Sequence, residues 1–341
     1  MPPNSSPAAA AVTASNAFSV SLTSALSAAS SSSVPSTLTS SSAFASAATK
    51  VIDAAQKPVV RLYSIQNAPP KSKTLHLIRH AEGTHNISPE SHKTPLHWDA
   101  RLTEKGMEQC RQLARKTSYH YQRRVSLNSE ADGPAVEEQN DDDDMNSDIH
   151  PSVGEVEAVI VSPMSRCLQT AILSFPHHYV GTSDDNASGV ATVPFIAHES
   201  WRETTNFLCD SRRSISELRK DFPLVDFDTI SHEDDPIWAK YEAIFGAHDE
   251  CDNLRESKDG AHLAQRASEA WSWLASRPET NLAICGHSAF FMHQFQPYLP
   301  EMMGVVSYED EEVERLMTDR GFANCELRTV AFQTDGMTKG E

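Results

Sequence analysis

The chain has 341 residues, 39% of them hydrophobic, and 47 acidic against 29 basic side chains give a formal net charge of −18. That length fits one large domain or two small ones. The acidity speaks against nucleic acid or an anionic membrane as a partner, and no run of 18 apolar residues is present to span a bilayer.

Residues 1–49 contain no charged side chain and are dominated by Ser and Ala. Such a stretch offers too little large apolar surface to offset the entropy of ordering, so residues 1–70 read as a disordered N-terminal segment. Its lack of acids suits an organelle transit peptide, whereas its lack of Arg does not. Location therefore stays open between the cytoplasm and a plastid or mitochondrion. A folded domain is expected over residues 71–335.

The first strand is expected at Thr74–Arg79. A helix follows from about Glu104 to Lys116, with Thr103 as a plausible N-cap and Met107, Cys110 and Ala114 on one face. Residues 128–152 then carry nine acids and no Lys or Arg. Four consecutive Asp repel one another and cannot pack, so this insert reads as a disordered, solvated loop. A nearly all-apolar second strand is expected at Val156–Val161, buried on both faces. It runs into Ser162-Pro163, which signal a helix N-cap and first turn, with the helix continuing to about Ser174. A third strand is expected at Thr192–Ala197, a helix at about Ala261–Ala275, a fourth strand at Asn281–Cys285 and a helix after Gly286-His287. A last strand near Leu327–Phe332 would close an edge. Strands alternating with helices predict a three-layer α/β/α sandwich on a mainly parallel central sheet.

Ligands bind such sheets beyond the carboxyl ends of the strands. There the sequence places Arg79, His80 and Asn86 after the first strand, Ser162 and Arg166 after the second, Glu203 after the third and His287 after the fourth. A lone Arg-His or Gly-His pair is more often structural than catalytic, and a lone Arg or Glu more often faces solvent. Polar groups ending three apolar strands together are harder to explain that way. They suit a phosphate site. Guanidinium groups bind phosphate oxygens bidentately, a helix N-terminus adds donors, and a neutral imidazole is a competent nucleophile toward phosphorus. Phosphoryl transfer mainly needs positioning and charge stabilisation, which these groups supply without a metal.

These residues also carry a resemblance. Leu77-Ile-Arg-His-Ala-Glu-Gly-Thr-His-Asn86 resembles the Arg-His-Gly-Glu…Asn signature of the histidine phosphatase superfamily, with its phosphoglycerate mutase-like fold. Leu102-Thr103, Gly106 and Gln109 are similar to the family's Leu-Thr-x-x-Gly-x-x-Gln helix start. Ser162-Pro-Met-Ser-Arg166 with Gln169-Thr170 resembles its Ser-Pro-x-x-Arg-x-x-Gln-Thr segment, and Gly286-His287 matches its late histidine. The likeness covers roughly residues 74–332. The segment Arg202-Glu203 through Cys209–Arg213 resembles a eukaryotic mutase-like subgroup known from plants and fungi. The resemblance implies that His80 is phosphorylated, that Arg79, Arg166 and His287 form the phosphate pocket, and that Asn86 assists. It suggests Glu203 as proton donor and later base, and Arg212 and Arg213 as substrate contacts. Three departures stand out. Ala81 replaces the usual Gly after the histidine, His85 takes a place usually held by Trp, and the residues after Glu203 lack the glycines of glycolytic mutases.

The expected function is a phosphatase acting on a small phosphorylated metabolite through phosphohistidine, with no cofactor and no metal. The alternatives are a phosphoglycerate mutase and a non-catalytic scaffold on the same fold. Of the remaining residues, His76 reads as structural and Trp271 and Trp273 as packing, while His177, His178 and His293 lack partners at metal-ligand spacing. The six cysteines (Cys110, Cys167, Cys209, Cys251, Cys285, Cys325) form no CxxC pair and read as mostly buried thiols. Nothing in the sequence fixes the oligomeric state.

Overall fold

A computed structural model describes residues 60–129, 149–180, 190–247, 255–296 and 299–334. All of them fall within one unit, Gln56–Glu341. Most of the Ser/Ala-rich segment, the acidic run at 130–148 and Cys251 lie outside the described residues.

The frame is an eight-stranded sheet. In chain order its strands are β1 (Val60–Tyr63), β2 (Lys73–Arg79), β3 (Ala158–Val161), β6 (Phe195–Ala197), β7 (Val225–Asp226), β8 (Asn281–Gly286), β9 (Val306–Tyr308) and β10 (Leu327–Thr334). β4 (Tyr179–Val180) and β5 (Val190–Ala191) form a separate two-stranded ribbon, and the main sheet runs β7-β6-β3-β8-β2-β10-β1-β9. β10 lies antiparallel to both β1 and β2, and every other pairing in the sheet is parallel.

Seven α-helices occur among the described residues: α1 (Glu104–Ser129), α2 (Ser165–Ser174), α3 (Ile215–Asp221), α4 (Pro236–Phe245), α5 (Gly260–Ser276), α6 (Ser288–Phe295) and α7 (Glu311–Thr318). Alternation along the strands assigns them to layers. Leu75, Leu77, Ile160, Leu282 and Ile284 pack with Leu263 of α5, Phe290 of α6 and Val313 of α7. Their neighbours Ile78, Val159, Val161, Ala283 and Cys285 pack with Leu113 of α1, Leu168 of α2 and Leu218 of α3. Side chains two apart share a face of a strand, so one sheet acquires two cores and the fold is a three-layer α/β/α sandwich.

Several boundaries differ from the sequence expectation. β1 lies inside the stretch assigned to the N-terminal segment. Val60 and Leu62 are fully buried, paired to β10 on one side and β9 on the other. Four residues with two apolar side chains are too short a pattern to stand out beside a low-complexity run. β10 does not close an edge but sits between β1 and β2, and β7 and β9 form the edges. α1 runs well past Lys116 because polar residues continue its buried face. Thr117 is buried and its hydroxyl donates to Ser174 O at 2.6 Å, and His120 is buried beside Gly154. The end of the expected acidic loop is ordered as well. Pro151–Glu155 form a 3-10 turn, and Asn281 Nδ2 donates to Ser152 O at 2.7 Å.

Register is what builds the site. Arg79 lies level with Gly286, and Val161 with Cys285 and Ala197. The residues that leave these strands therefore emerge side by side at one carboxyl edge: His80, Ser162, His198 and His287.

Candidate active site

His80 is buried, and its Nδ1 lies 2.8 Å from the carbonyl oxygen of Ala81. A carbonyl only accepts, so Nδ1 carries the proton and Nε2 keeps its in-plane lone pair. Burial, followed by the charges of Arg166 and Arg79, holds the ring's pKa well below the ordinary 6.5. The imidazole is thus neutral and nucleophilic at neutral pH. Its backbone is clamped from several sides. His80 N donates to Gly286 O, Asn324 Nδ2 donates to His80 O at 3.1 Å, and Ala81 N donates to Thr170 Oγ1 at 3.0 Å.

The motif after β2 explains how that loop is held. Glu82 N donates to Gln109 Oε1 at 2.9 Å, and Thr103 Oγ1 and Lys105 Nζ both reach the Glu82 carboxylate. Leu102 N donates to Gln169 Oε1 at 3.0 Å. At Gly106, a Cβ would lie 2.1 Å from Glu82 O, so helix and loop approach more closely than any side chain allows. Gly106, Gln109, Gln169 and Thr170 are therefore positioning residues for the histidine loop.

His287 faces His80 with ring centroids 5.1 Å apart and planes at 61°. Its Nε2 is 2.7 Å from Ser162 Oγ and 3.3 Å from Cys167 Sγ. Burial, followed by Arg166, keeps it neutral too. Arg166 is fully buried. Its Nη1 donates to Cys209 O at 2.7 Å and its Nη2 to Asp210 Oδ1 at 3.2 Å. Arg79 Nη1 donates to Phe322 O at 2.7 Å. The Nε groups of both arginines are buried with no acceptor among the described residues. An unpaired buried donor costs about 1–3 kcal/mol, which an anion accepting from it would return.

Glu203 is half-buried at the N-terminus of α6. Oε1 accepts from Phe290 N at 2.8 Å, Thr204 N at 2.9 Å and Thr204 Oγ1 at 3.2 Å, whereas Oε2 accepts only from Ala289 N at 3.2 Å. Oε2 is thus the oxygen with room for a proton or a water. The loop that carries Glu203 is bolted from behind. Arg266 donates to Arg202 O and Glu203 O, and grips the buried Glu256 with Nε at 3.0 Å and Nη2 at 2.9 Å.

Other sequence-selected residues have different surroundings. Asn86 Oδ1 accepts from Gly83 N at 3.0 Å and closes the turn that follows the histidine. The helix expected to start at Ser162-Pro163 begins two residues later, at Ser165, with Met164 as N-cap. Ser162 is freed to bond His287. The first α2 amide is taken by protein: Ser165 N donates to Asp99 Oδ1 at 2.8 Å and Ser165 Oγ donates to Asp99 Oδ2 at 2.5 Å. Asp99 is therefore the anion at that helix terminus. Arg213 holds this cap, with Nε to Asp99 at 2.8 Å, Nη2 to Ser165 Oγ at 3.0 Å and Nη1 to Asp221 at 3.0 Å. Arg212 is buried, and its Nε, Nη1 and Nη2 donate to Glu199 and to the carbonyls of Arg213, His232, Glu233 and Asp234. The structure places both arginines in protein networks rather than with free donors. His76 bonds Thr329 and Asn281, as a structural histidine should, and Trp271 packs in the core with Nε1 on Gln294.

Sequence reasoning missed Asp210, His92 and Cys209, and noted His85 only as a departure. Asp210 is fully buried. Burial, aided by Glu203's charge and opposed by Arg166, pushes its carboxyl up to about 6. It holds Arg166 while Oδ2 accepts from Asn206 N and Phe207 N. The rings of His80, His85 and His92 form a file with centroids 5.3 and 5.5 Å apart.

No family model matches this chain. A phosphoglycerate mutase-like protein of Arabidopsis thaliana is 29% identical over 286 residues, covering 78% of this chain and 86% of the relative. Phosphoglycerate mutase-like protein 1 of the same plant is 28% identical, covering 77% and 82%. A Schizosaccharomyces pombe protein named as a probable phosphatase is 24% identical, covering 63% and 74%. Among solved structures, the chain resembles phosphoglycerate mutase from Bacillus anthracis with a TM-score of 0.36 and 12% identity, covering 77% of this chain and 92% of that one. The chain is similar to phosphoglycerate mutase-like proteins, in keeping with the histidine phosphatase resemblance of its motifs.

Proposed function

We propose that this protein is a metal-independent phosphatase that hydrolyses a small phosphorylated metabolite through phospho-His80. The observation that carries the reading is the tautomer of His80: Nδ1 is committed to Ala81 O, so Nε2 is the bare nucleophile. The phosphatase named among the relatives supports the reaction type.

In the first step Nε2 of His80 attacks phosphorus. The P–N bond forms as the P–O bond to the leaving group breaks, and Arg79, Arg166 and His287 hold the equatorial oxygens. Asn86 assists at the pocket edge. A proton from Glu203 Oε2 neutralises the departing oxygen. In the second step the resulting carboxylate takes a proton from water. That water attacks phosphorus, the P–N bond breaks and neutral His80 returns. A mutase would have to keep the phosphoryl group on His80 until it is handed back. Thr204 to Cys209, without the glycines of glycolytic mutases, favours hydrolysis over that route.

The test is hydrolysis of an aryl phosphate by the full chain in EDTA, beside His80→Ala. Wild-type turnover with loss of nearly all activity in the variant is expected, together with an acid-labile phosphoryl group on the wild type. A variant keeping more than about one per cent of activity, about 2.7 kcal/mol of barrier, would contradict the mechanism.

A further inference from the structure

We infer that His85, His92 and Cys209 form a binding site for a soft divalent cation such as Zn²⁺ at the mouth of the catalytic pocket, and that its occupation inhibits the enzyme. One ligand atom from each residue falls within 4.8 Å of the others. The Cys209 Sγ to His92 Nδ1 separation is 3.8 Å. A tetrahedral zinc centre with ordinary Zn–S and Zn–N lengths has ligand–ligand edges of about 3.3–3.6 Å. Small side-chain rotations therefore suffice to close the site. Two imidazoles and one thiol are the donor set such an ion selects, leaving a fourth position for water or an anion.

The surroundings favour the assignment. His85 is 4% exposed, yet its buried Nδ1 lacks a hydrogen-bond partner. Nδ1 and Cε1 lie against Gly83, where a Cβ would come within 2.7 Å and 2.8 Å of them. A side chain at residue 83 would thus displace the ring. His92 is held on its other side by Phe207, with ring centroids 5.1 Å apart. Binding converts the Cys209 thiol to a thiolate and releases one proton, so the bound group carries a net charge of one. His85 lies against the His80 ring, with centroids 5.3 Å apart, so the ion stands one ring away from the proposed nucleophile.

The inhibitory half of this inference rests on the phosphatase reading, whereas the binding half does not. Binding is therefore measured first and without substrate, by titrating the full chain with Co²⁺. A thiolate-to-cobalt charge-transfer band with intense tetrahedral d–d bands is expected, and Zn²⁺ should bleach both. Cys209→Ser, which leaves the backbone carbonyl on Arg166 in place, should abolish the charge-transfer band. His92→Asn should keep the band but weaken Co²⁺ binding at least tenfold. A wild type without the band, or one whose band and affinity persist in both variants, would overturn the site. With activity established, Zn²⁺ should inhibit the wild type at concentrations at least tenfold below those needed for His92→Asn. Equal sensitivity would overturn the inhibitory role while leaving the binding result intact.

Discussion

At the scale of single residues, chemistry is set by what each polar atom already touches. His80 has one nitrogen spent and one free, so its reactivity follows from a single carbonyl. Asp210 adds a titration that sequence did not suggest. With its carboxyl at about 6, the ion pair with Arg166 is complete above that pH and lost below it. Below pH 6, Arg166 keeps Cys209 O as its anchor but loses the charged one, so kcat/KM should rise as pH increases through 6. Substrate phosphate ionises in the same range. The informative quantity is therefore the ratio of wild-type to Asp210→Asn kcat/KM, in which the substrate's own titration cancels. That ratio should climb through pH 6; a ratio flat with pH would remove Asp210 from the mechanism.

At the scale of elements, the site was legible wherever polar residues end an apolar strand. β2, β3 and β8 each announce themselves by a run of buried aliphatics, and the residues that follow them meet in the candidate site. What sequence could not give was partnership across long separations. His92 and Cys209 lie 117 residues apart, and Ser162 reads as a helix cap until His287 is seen to claim its hydroxyl. Arg212 and Arg213 sit near Glu203 in sequence, but carboxylates, carbonyls and the Ser165 hydroxyl occupy their donors. The close approach of α1 to the Glu82 backbone is equally invisible in a one-letter code, although Gly106 marks it. Gly106→Ala should push the His80 loop aside. We expect a loss of turnover larger than the loss of stability, read by kcat beside a denaturation midpoint; unchanged kcat would show that the contact is dispensable.

At the scale of the whole molecule, two buried ion pairs tie the Glu203 loop to the rest of the sandwich. Arg202 forms a two-pronged pair with Asp235 at 2.7 and 2.6 Å, and Arg266 does the same with Glu256. Burial alone would raise Glu256, but Arg266, His262 and the Thr205 amide hold its carboxyl at about 2. A depressed carboxyl contributes stability that is complete above its ordinary 4.5 and drains away as pH falls toward about 2. The folded state should therefore weaken across that window, and Glu256→Gln should flatten the acid slope while costing on the order of 3 kcal/mol at neutral pH, because it leaves Arg266 buried without its partner. Urea melts at several pH values check both; a slope unchanged by the substitution would assign acid sensitivity elsewhere. The position of β10 has a different consequence, for synthesis on the ribosome. Arg79 leans on Phe322 O, His80 O is held by Asn324, Cys325 N donates to Arg79 O, and β2 pairs along its length with β10. His80 precedes Asn324, in the loop that seats it, by 244 residues. Until that loop and β10 emerge, β2 presents an open edge of the kind that invites pairing with another chain. The seat of His80 is thus complete only once β10 has been made, and until then the nascent sheet lacks its partner on that side of β2.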